Sequence, residues 1–378
     1  MRELILAAAK AAEEKGPPNL SALIGFDGFV DEIIHVVDKR YDFESYTPIE
    51  TIAAFAERIG RAAGLSTNIE LVPTAVKLGG NGPIMANALR SLNFDITYIG
   101  CLGEPEIHPV FQELAANARC YSIADPGHTD ALEFRDGKLM FGKHQSLKNA
   151  TWEKIIATVG EDNLREILGS VHLAAFVNWT MMPYMTEIWN RLTEDFLPKL
   201  PVREPKPWCF FDLADPEKRS YDELAEAVHS LSNFASHFRP VLGLNRKEAT
   251  EVSIALGLDL GMPPQEAPLS VIVPAIAEAL PKLAGVVVHP TTEAACVFDG
   301  KYYYAKGATT SRPKLTTGAG DNFNAGFCAG LMLELEPDKA LILGKGTAGY
   351  YVRNGRSPHW NELLDFLALW ADRIDEEF

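Results

Sequence analysis

The sequence has no run of basic residues, and its formal net charge is −16. Binding to a phosphate backbone demands a concentrated basic face, so nucleic acid is excluded as the main partner. The five cysteines, Cys101, Cys120, Cys209, Cys296 and Cys328, are odd in number, scattered and nowhere paired as CxxC. Such a set suits neither a disulfide framework nor a zinc site, and it fits a reducing compartment. No apolar stretch approaches the roughly 20 residues of a membrane span. The opening MRELILAAAKAAEEKG mixes charges into an amphipathic helix rather than a signal peptide. A soluble, cytoplasmic chain is therefore expected. Also missing are GxxxxGK[ST], the GxSxG elbow and the HExxH zinc pair.

What is present is ordinary globular material. Of 378 residues, 47% are hydrophobic and 23% charged, enough to bury a large core. Short apolar runs at 20–26, 96–100, 173–177, 208–213, 240–244 and 285–289 alternate with helical patterns at 83–92, 181–196, 218–232 and 247–256. That rhythm predicts an α/β fold, a mostly parallel central sheet with helices on both faces. Segments 31–37, 69–78 and 130–142 are surplus to it, the last carrying the hairpin signal Asp136-Gly137. They predict a small β-sheet lid over the end of the main sheet, with an amphipathic helical insertion near 46–65. A second such turn, Asp299-Gly300, places a hairpin at the edge of the core sheet. One domain spanning 1–378 is expected.

Four stretches can carry chemistry. Thr316-Thr317-Gly318-Ala319-Gly320-Asp321 precedes a helical run. Small residues there leave amides converging on one spot, where the helix dipole also favours an anion. A carboxylate at that spot repels the same anion unless it accepts the proton of an incoming hydroxyl. The residues also read as a Gly-rich turn with Asp321 as a cap. Gly79-Gly80-Asn81-Gly82-Pro83 again precedes a helix. Its glycines admit a polar ligand to the backbone and Asn81 suits sugar hydroxyls, or the stretch is a turn with Pro at a helix start. Asn245 and Glu248, three apart, either orient Mg²⁺ waters and phosphates or form a capping box, which is the better reading in isolation. Asp27 and Asp31 follow the first strand, at the end where α/β sheets bind ligands, and one of the two is expected to be functional. The stretch 344–349 fits GxGxxG but lies late, within a predicted helix, so close helix packing is its expected role.

Taken in order, these motifs resemble the ribokinase-like (PfkB) carbohydrate kinase family over most of the chain, with TTGAGD the most specific. The resemblance implies an α/β core with a β-lid, ATP with Mg²⁺, and a sugar, nucleoside or related alcohol as acceptor. By that likeness Asp321 is the catalytic base, and Gly318, Ala319 and Gly320 form the anion hole. Asn245 and Thr317 meet the nucleotide's phosphates, and Glu248 serves Mg²⁺ through water. Asp27, Asp31, Gly79, Gly80 and Asn81 hold the acceptor. An exposed β-lid also offers a surface for a homodimer, because sheet edges tend to be covered.

The sequence departs from the family at three motifs, and the helical insertion near 46–65 alters the lid region. Leu315 stands where an acidic or polar residue opens TTGAGD, and Ile84 where a second Asn falls, with Asn87 one turn later. His289-Pro290-Thr291-Thr292-Glu293 replaces a Thr-Leu-Gly-type turn and weakens any transfer of nucleotide-base contacts. The alternatives are an ADP-dependent sugar kinase or a nucleoside kinase of the same superfamily. Outside it stand a Rossmann oxidoreductase resting on 344–349 and a non-catalytic sugar-binding relative, which an intact Asp321 disfavours.

Overall fold

Strands Leu173–Phe176, Trp208–Asp212 and Gly285–Val288 are buried at every position, as strands covered on both faces must be. They lie inside a nine-stranded sheet in a computed structural model that describes residues 1–374; the last four positions of the expected domain lie outside it. From one edge to the other the order is Lys301–Lys306, Glu293–Phe298, Gly285–Val288, Arg239–Leu244, Trp208–Asp212, Leu173–Phe176, Ser21–Phe26, Asp95–Gly100 and Arg119–Ser122. The strands from Gly285–Val288 to Arg119–Ser122 pair in parallel, and the hairpin through Asp299-Gly300 forms the antiparallel edge.

Alternation along each strand feeds two apolar layers. Leu23, Phe176, Phe211 and Leu242 join one, while Ile24, Ala175, Phe210 and Val241 join the other. The mostly parallel α/β architecture is as the hydrophobic rhythm predicts. Because the strands share a direction, residues just past their carboxyl ends, among them Asp27, Asn178 and Asn245, arrive at one end of the sheet.

The second sheet is built around the 12-residue strand Phe29–Arg40. It pairs antiparallel with Leu71–Gly79 and Tyr46–Pro48 and parallel with Gly127–Phe134, which pairs in turn with Gly137–Lys143. The insertion expected near 46–65 differs from its prediction. Residues Tyr46–Pro48 are a strand, and only Ile52–Arg61 is helix, started by the Thr51 hydroxyl accepting from the Ala54 amide. A single amphipathic pattern hid the break because the strand is too short to show a period of its own. Phe55 docks this helix on Ile34, Val36 and Leu132. Among the described residues no helix is long and apolar enough to cross a membrane.

Candidate active site

The helix Ala319–Met332 begins after Gly318, whose φ of 87° lies in the left-handed region. A side chain there would also place its Cβ 2.9 Å from the Tyr351 hydroxyl, so glycine is required twice over. Tyr351, on the helix Pro337–Asn354, donates to the Thr317 carbonyl at 2.8 Å. Asn322 donates to the Gly318 carbonyl at 2.9 Å and accepts from Ser357 at 2.7 Å. The loop is thus pinned from behind. The Ala319 amide is taken by the Thr316 carbonyl at 3.1 Å, whereas the Gly320 amide, in the first turn, has no intrahelical acceptor. Gly320 has no left-handed φ, and a Cβ there would meet only the His289 ring at 3.6 Å. Its lack of a side chain keeps cavity space open rather than relieving backbone strain.

Asp321 is buried in the first helical turn and accepts from Asn81 Nδ2 at 2.9 Å. Burial, helped by the Asp27 charge, pushes its carboxyl up to about 8, against the Asn81 bond that lowers it. Asn81, expected against the acceptor, lines the same cavity as Asp321 and is hydrogen-bonded to its carboxylate.

Asp27 is fully buried and faces the protein. Its carboxylate accepts from the amides of Asn81 and Gly82, each at 2.9 Å, and from Asn178 Nδ2 at 2.7 Å. It caps the helix Asn81–Ser91 from outside. A side chain at Gly80, whose φ is 95°, would come within 2.9 Å of Asp27 Oδ2. The glycines of that stretch let the chain wrap a carboxylate of its own. Asp27 and Gly80, expected at the acceptor, line neither of the two cavities described below. Gly79 is also absent from both linings, and a Cβ there would strike the Asp31 carboxylate at 2.4 Å, so this glycine seats Asp31.

One cavity, of about 440 Å³, lies between the two sheets. The small sheet contributes Asp31, Lys138 and Met140, and the core contributes Asn87, Leu315 and Thr317. Desolvation raises the Asp31 carboxyl against the opposing pull of Thr129 and Lys138. Two departures from the family pattern, Leu315 and Ile84 with Asn87, fall together on this wall.

A second cavity, of about 680 Å³, is lined by Asn81, Asp212, Asn245, Glu248, Gly320 and Asp321 among others. Thr316 lines this cavity, while Thr317, expected at the phosphates, lines the first; the chain turns between them and the helix, the Ala319 amide donating to the Thr316 carbonyl. Asn245 and Glu248 form the capping box. The Asn245 side chain accepts from the Glu248 amide at 3.0 Å, and Glu248 Oε2 accepts from the Asn245 amide at 2.7 Å. Glu248 Oε1 also accepts from the Asp215 amide at 3.1 Å. Both oxygens keep a lone pair for a water.

Asp212 has no place in the sequence reading. It ends the strand Trp208–Asp212, and Oδ2 accepts from Asn324 at 2.9 Å while the buried Oδ1 has no partner among the described residues. Desolvation raises its carboxyl well above the usual range, helped by the Glu248 and Asp321 charges. Its only signal was a carboxylate at the carboxyl end of a buried parallel strand. The residues fit a divalent cation: an orphaned carboxylate oxygen and mutually repelling acids ask for positive charge. Mg²⁺ is commonly held by one or two carboxylates together with substrate phosphates.

The stretch 344–349 lies within the helix Pro337–Asn354. A Cβ at Gly344 would meet the Phe323 ring at 2.8 Å, and one at Gly349 would meet Ala308 at 2.8 Å. The glycines serve helix packing, and the dinucleotide loop of an oxidoreductase has no counterpart here.

The model of the prokaryotic ketohexokinase family (Khk) matches residues 5–370. A ketohexokinase of Haloferax volcanii is 30% identical over 381 residues, covering 99% of this chain and 98% of that protein. Among solved structures, Arabidopsis thaliana ribokinase complexed with ribose and ATP superposes with a TM-score of 0.60 at 15% identity, over 93% of this chain and 98% of that one. A phosphofructokinase-2 mutant from Escherichia coli gives 0.62 at 13% identity, over 94% and 99%. The nucleoside kinase of Methanocaldococcus jannaschii, a ribokinase-family member, gives 0.59 at 13%, over 93% and 99%. At these identities the structural likenesses establish the ribokinase-like fold.

Proposed function

The chain belongs to the prokaryotic ketohexokinase family of ribokinase-like sugar kinases, and we propose that it moves the γ-phosphoryl group of ATP to a hydroxyl of a ketohexose, with Asp321 as the base. The observation that carries this reading is a shared wall. Leu315 and Thr317 face one cavity, while Thr316, Gly320 and Asp321 face the other. The first, bounded by Asp31, takes the sugar; the second takes the nucleotide. Across that wall the sugar oxygen forms its bond to the γ-phosphorus as the bond from phosphorus to the bridging oxygen breaks. ADP leaves with the electron pair, and the hydroxyl proton passes to Asp321.

A carboxylate whose pKa is raised by burial is the stronger proton acceptor. Asn81 holds it in place. The Gly320 amide and the positive end of its helix face the charge that develops on the phosphoryl oxygens. Asp212, and Glu248 through water, would hold Mg²⁺, which supplies charge neutralisation at the phosphates when bound. Asp31 orients the sugar through its hydroxyls, and Asp27 acts behind it by fixing the turn that carries Asn81. The small sheet acts as a lid closing over the sugar, and Val76 and Phe141, exposed on its side away from the cavity, offer a face for a second copy.

The test is Asp321→Asn, assayed with fructose and other ketohexoses against ATP and, separately, ADP. Turnover is expected to fall on the order of 10²–10⁴-fold. Folding should survive, and the sign of its pH dependence is fixed. The native state holds the Asp321 proton up to about 8, whereas the unfolded chain releases it near 4. Wild-type stability from this group therefore declines as pH rises between those values. The melting temperature of the variant should equal or exceed the wild type at pH 8 and above. A folded variant with near-normal turnover would remove Asp321 from the mechanism, and turnover with ADP alone would replace the donor.

A further inference from the structure

Lys345 sits in the middle of the small-residue stretch of the helix Pro337–Asn354, yet it is only 5% exposed. Its Nζ donates to the carbonyl oxygens of Pro290 and, at 3.4 Å, Thr291, and lies 5.3 Å from the centre of the Phe323 ring. No carboxylate among the described residues forms an ion pair with it, and Glu293 acts only from a distance. Beside it, His289 stacks on Phe323 with ring centres 4.4 Å apart, and its buried Nε2 has no hydrogen-bond partner among the described residues. Both side chains line the 680 Å³ cavity.

A buried ammonium without a counter-ion is costly, and so is a buried ring nitrogen without a partner. The two groups bear the mark of that cost. Desolvation draws Lys345 down to about 7, and burial with the Lys345 charge draws His289 down to about 3. The carbonyls of Pro290 and Thr291 occupy two of the three ammonium donors, leaving one for a ligand. An anion in the cavity would answer both needs at once.

We propose that Lys345 and His289 form a phosphate subsite for the part of the nucleotide's polyphosphate that stays with the leaving group. This rests on the second cavity being the nucleotide's. The order of residues along the wall decides which phosphates are met. His289 adjoins Gly320, its Cε1 3.6 Å from where a Cβ of that residue would stand. Lys345 adjoins His289, its Nζ donating to the carbonyl of the next residue, Pro290. The transferred group sits at the Gly320 amide, so the cation meets the phosphates behind it. The turn 289–293, which departs from the family's pattern, thereby gains a role: its carbonyls seat the lysine, and its first residue supplies the second donor.

The experiment is calorimetric titration of the full chain, without sugar, with adenosine, AMP, ADP, ATP and inorganic tripolyphosphate. In Lys345→Met the adenosine affinity should stay at the wild-type value. ATP and tripolyphosphate should each weaken by about tenfold or more, the worth of a hydrogen bond to a charged group. The loss should grow with the number of phosphates, and Lys345→Arg should recover part of it. Equal weakening of adenosine and ATP would make Lys345 a brace for the turn and overturn the proposal, as would unchanged ATP binding. If Lys345→Met does not fold, His289→Phe keeps an aromatic ring against Phe323 and removes the ring nitrogens, Nε2 among them. It should weaken ATP and spare adenosine, and the reverse pattern overturns the proposal equally. A wild-type chain that binds no member of the series would instead sink the nucleotide reading of the cavity.

Discussion

The two sheets of this molecule are held together by different means. In the nine-stranded sheet the central strands are buried at every position and apolar layers seal both faces. The five-stranded sheet rests on a cluster of Ile34, Val36, Ile49, Phe55 and Leu132, and its outer strand exposes Met140 and Phe141. Elements with few buried contacts open at lower free energy than a core does. The proposed chemistry follows this division. Asp212, Glu248 and Asp321 stand on the stiff frame, whereas Asp31 stands on the softer sheet. Proton and phosphoryl transfer need fixed distances, while admitting and releasing a sugar needs a part that can move. The lesson is that rate and recognition should separate by mutation.

The largest effect that sharpens this contrast lies in the core. Phe211 is fully buried and packs on Phe234, Trp189 and Phe176 at ring distances of 5.0, 5.2 and 6.0 Å. Phe211→Ala should cost about 3–5 kcal/mol. It would be read as a lower urea midpoint at an unchanged slope. A cost under about 1 kcal/mol would mean the core is no stiffer than the lid.

Next comes the lid itself. Asp31→Ala should raise the sugar KM by about ten- to a hundredfold, as losing a hydrogen-bonding carboxylate does. The nucleotide KM and the melting temperature should barely move. A loss of stability rivalling that of Phe211→Ala would erase the distinction between the sheets.

The smallest effect tests the join between them, since Asn81 follows the lid strand Leu71–Gly79 and starts a core helix. Asp321 must be ionised to accept a proton, so kcat/KM should rise with pH through about 8. The Asn81 bond lowers that value. Asn81→Ala should therefore move the acid limb to higher pH. A limb that stays in place while kcat falls would mean Asn81 serves the reaction in some way other than tuning the base.

Much of this was legible from one dimension. The rhythm of apolar runs determined the parallel sheet and its helical cover, because burial on two faces leaves continuous apolar strands. Surplus strands and Asp-Gly turns located the lid and the edge hairpin, because turn chemistry is local. TTGAGD marked Asp321, because a carboxylate among anion-holding amides needs a reason. The tertiary structure alone decided where each polar group points. Asp27 and Asp31 are four residues apart, yet one is enclosed by the amides of Asn81 and Gly82 and the other faces a cavity. Thr316 and Thr317 are adjacent, yet they line opposite cavities. Asp212 had no signal beyond its strand, and Lys345 lay in a stretch expected to serve helix packing; among the described residues, the elements around them leave Asp212 Oδ1 without a hydrogen bond and Lys345 without an ion pair. Apolar periodicity is a property of a segment and survives in the sequence. The partner of a buried charge is a property of which segments meet, and only the fold supplies it.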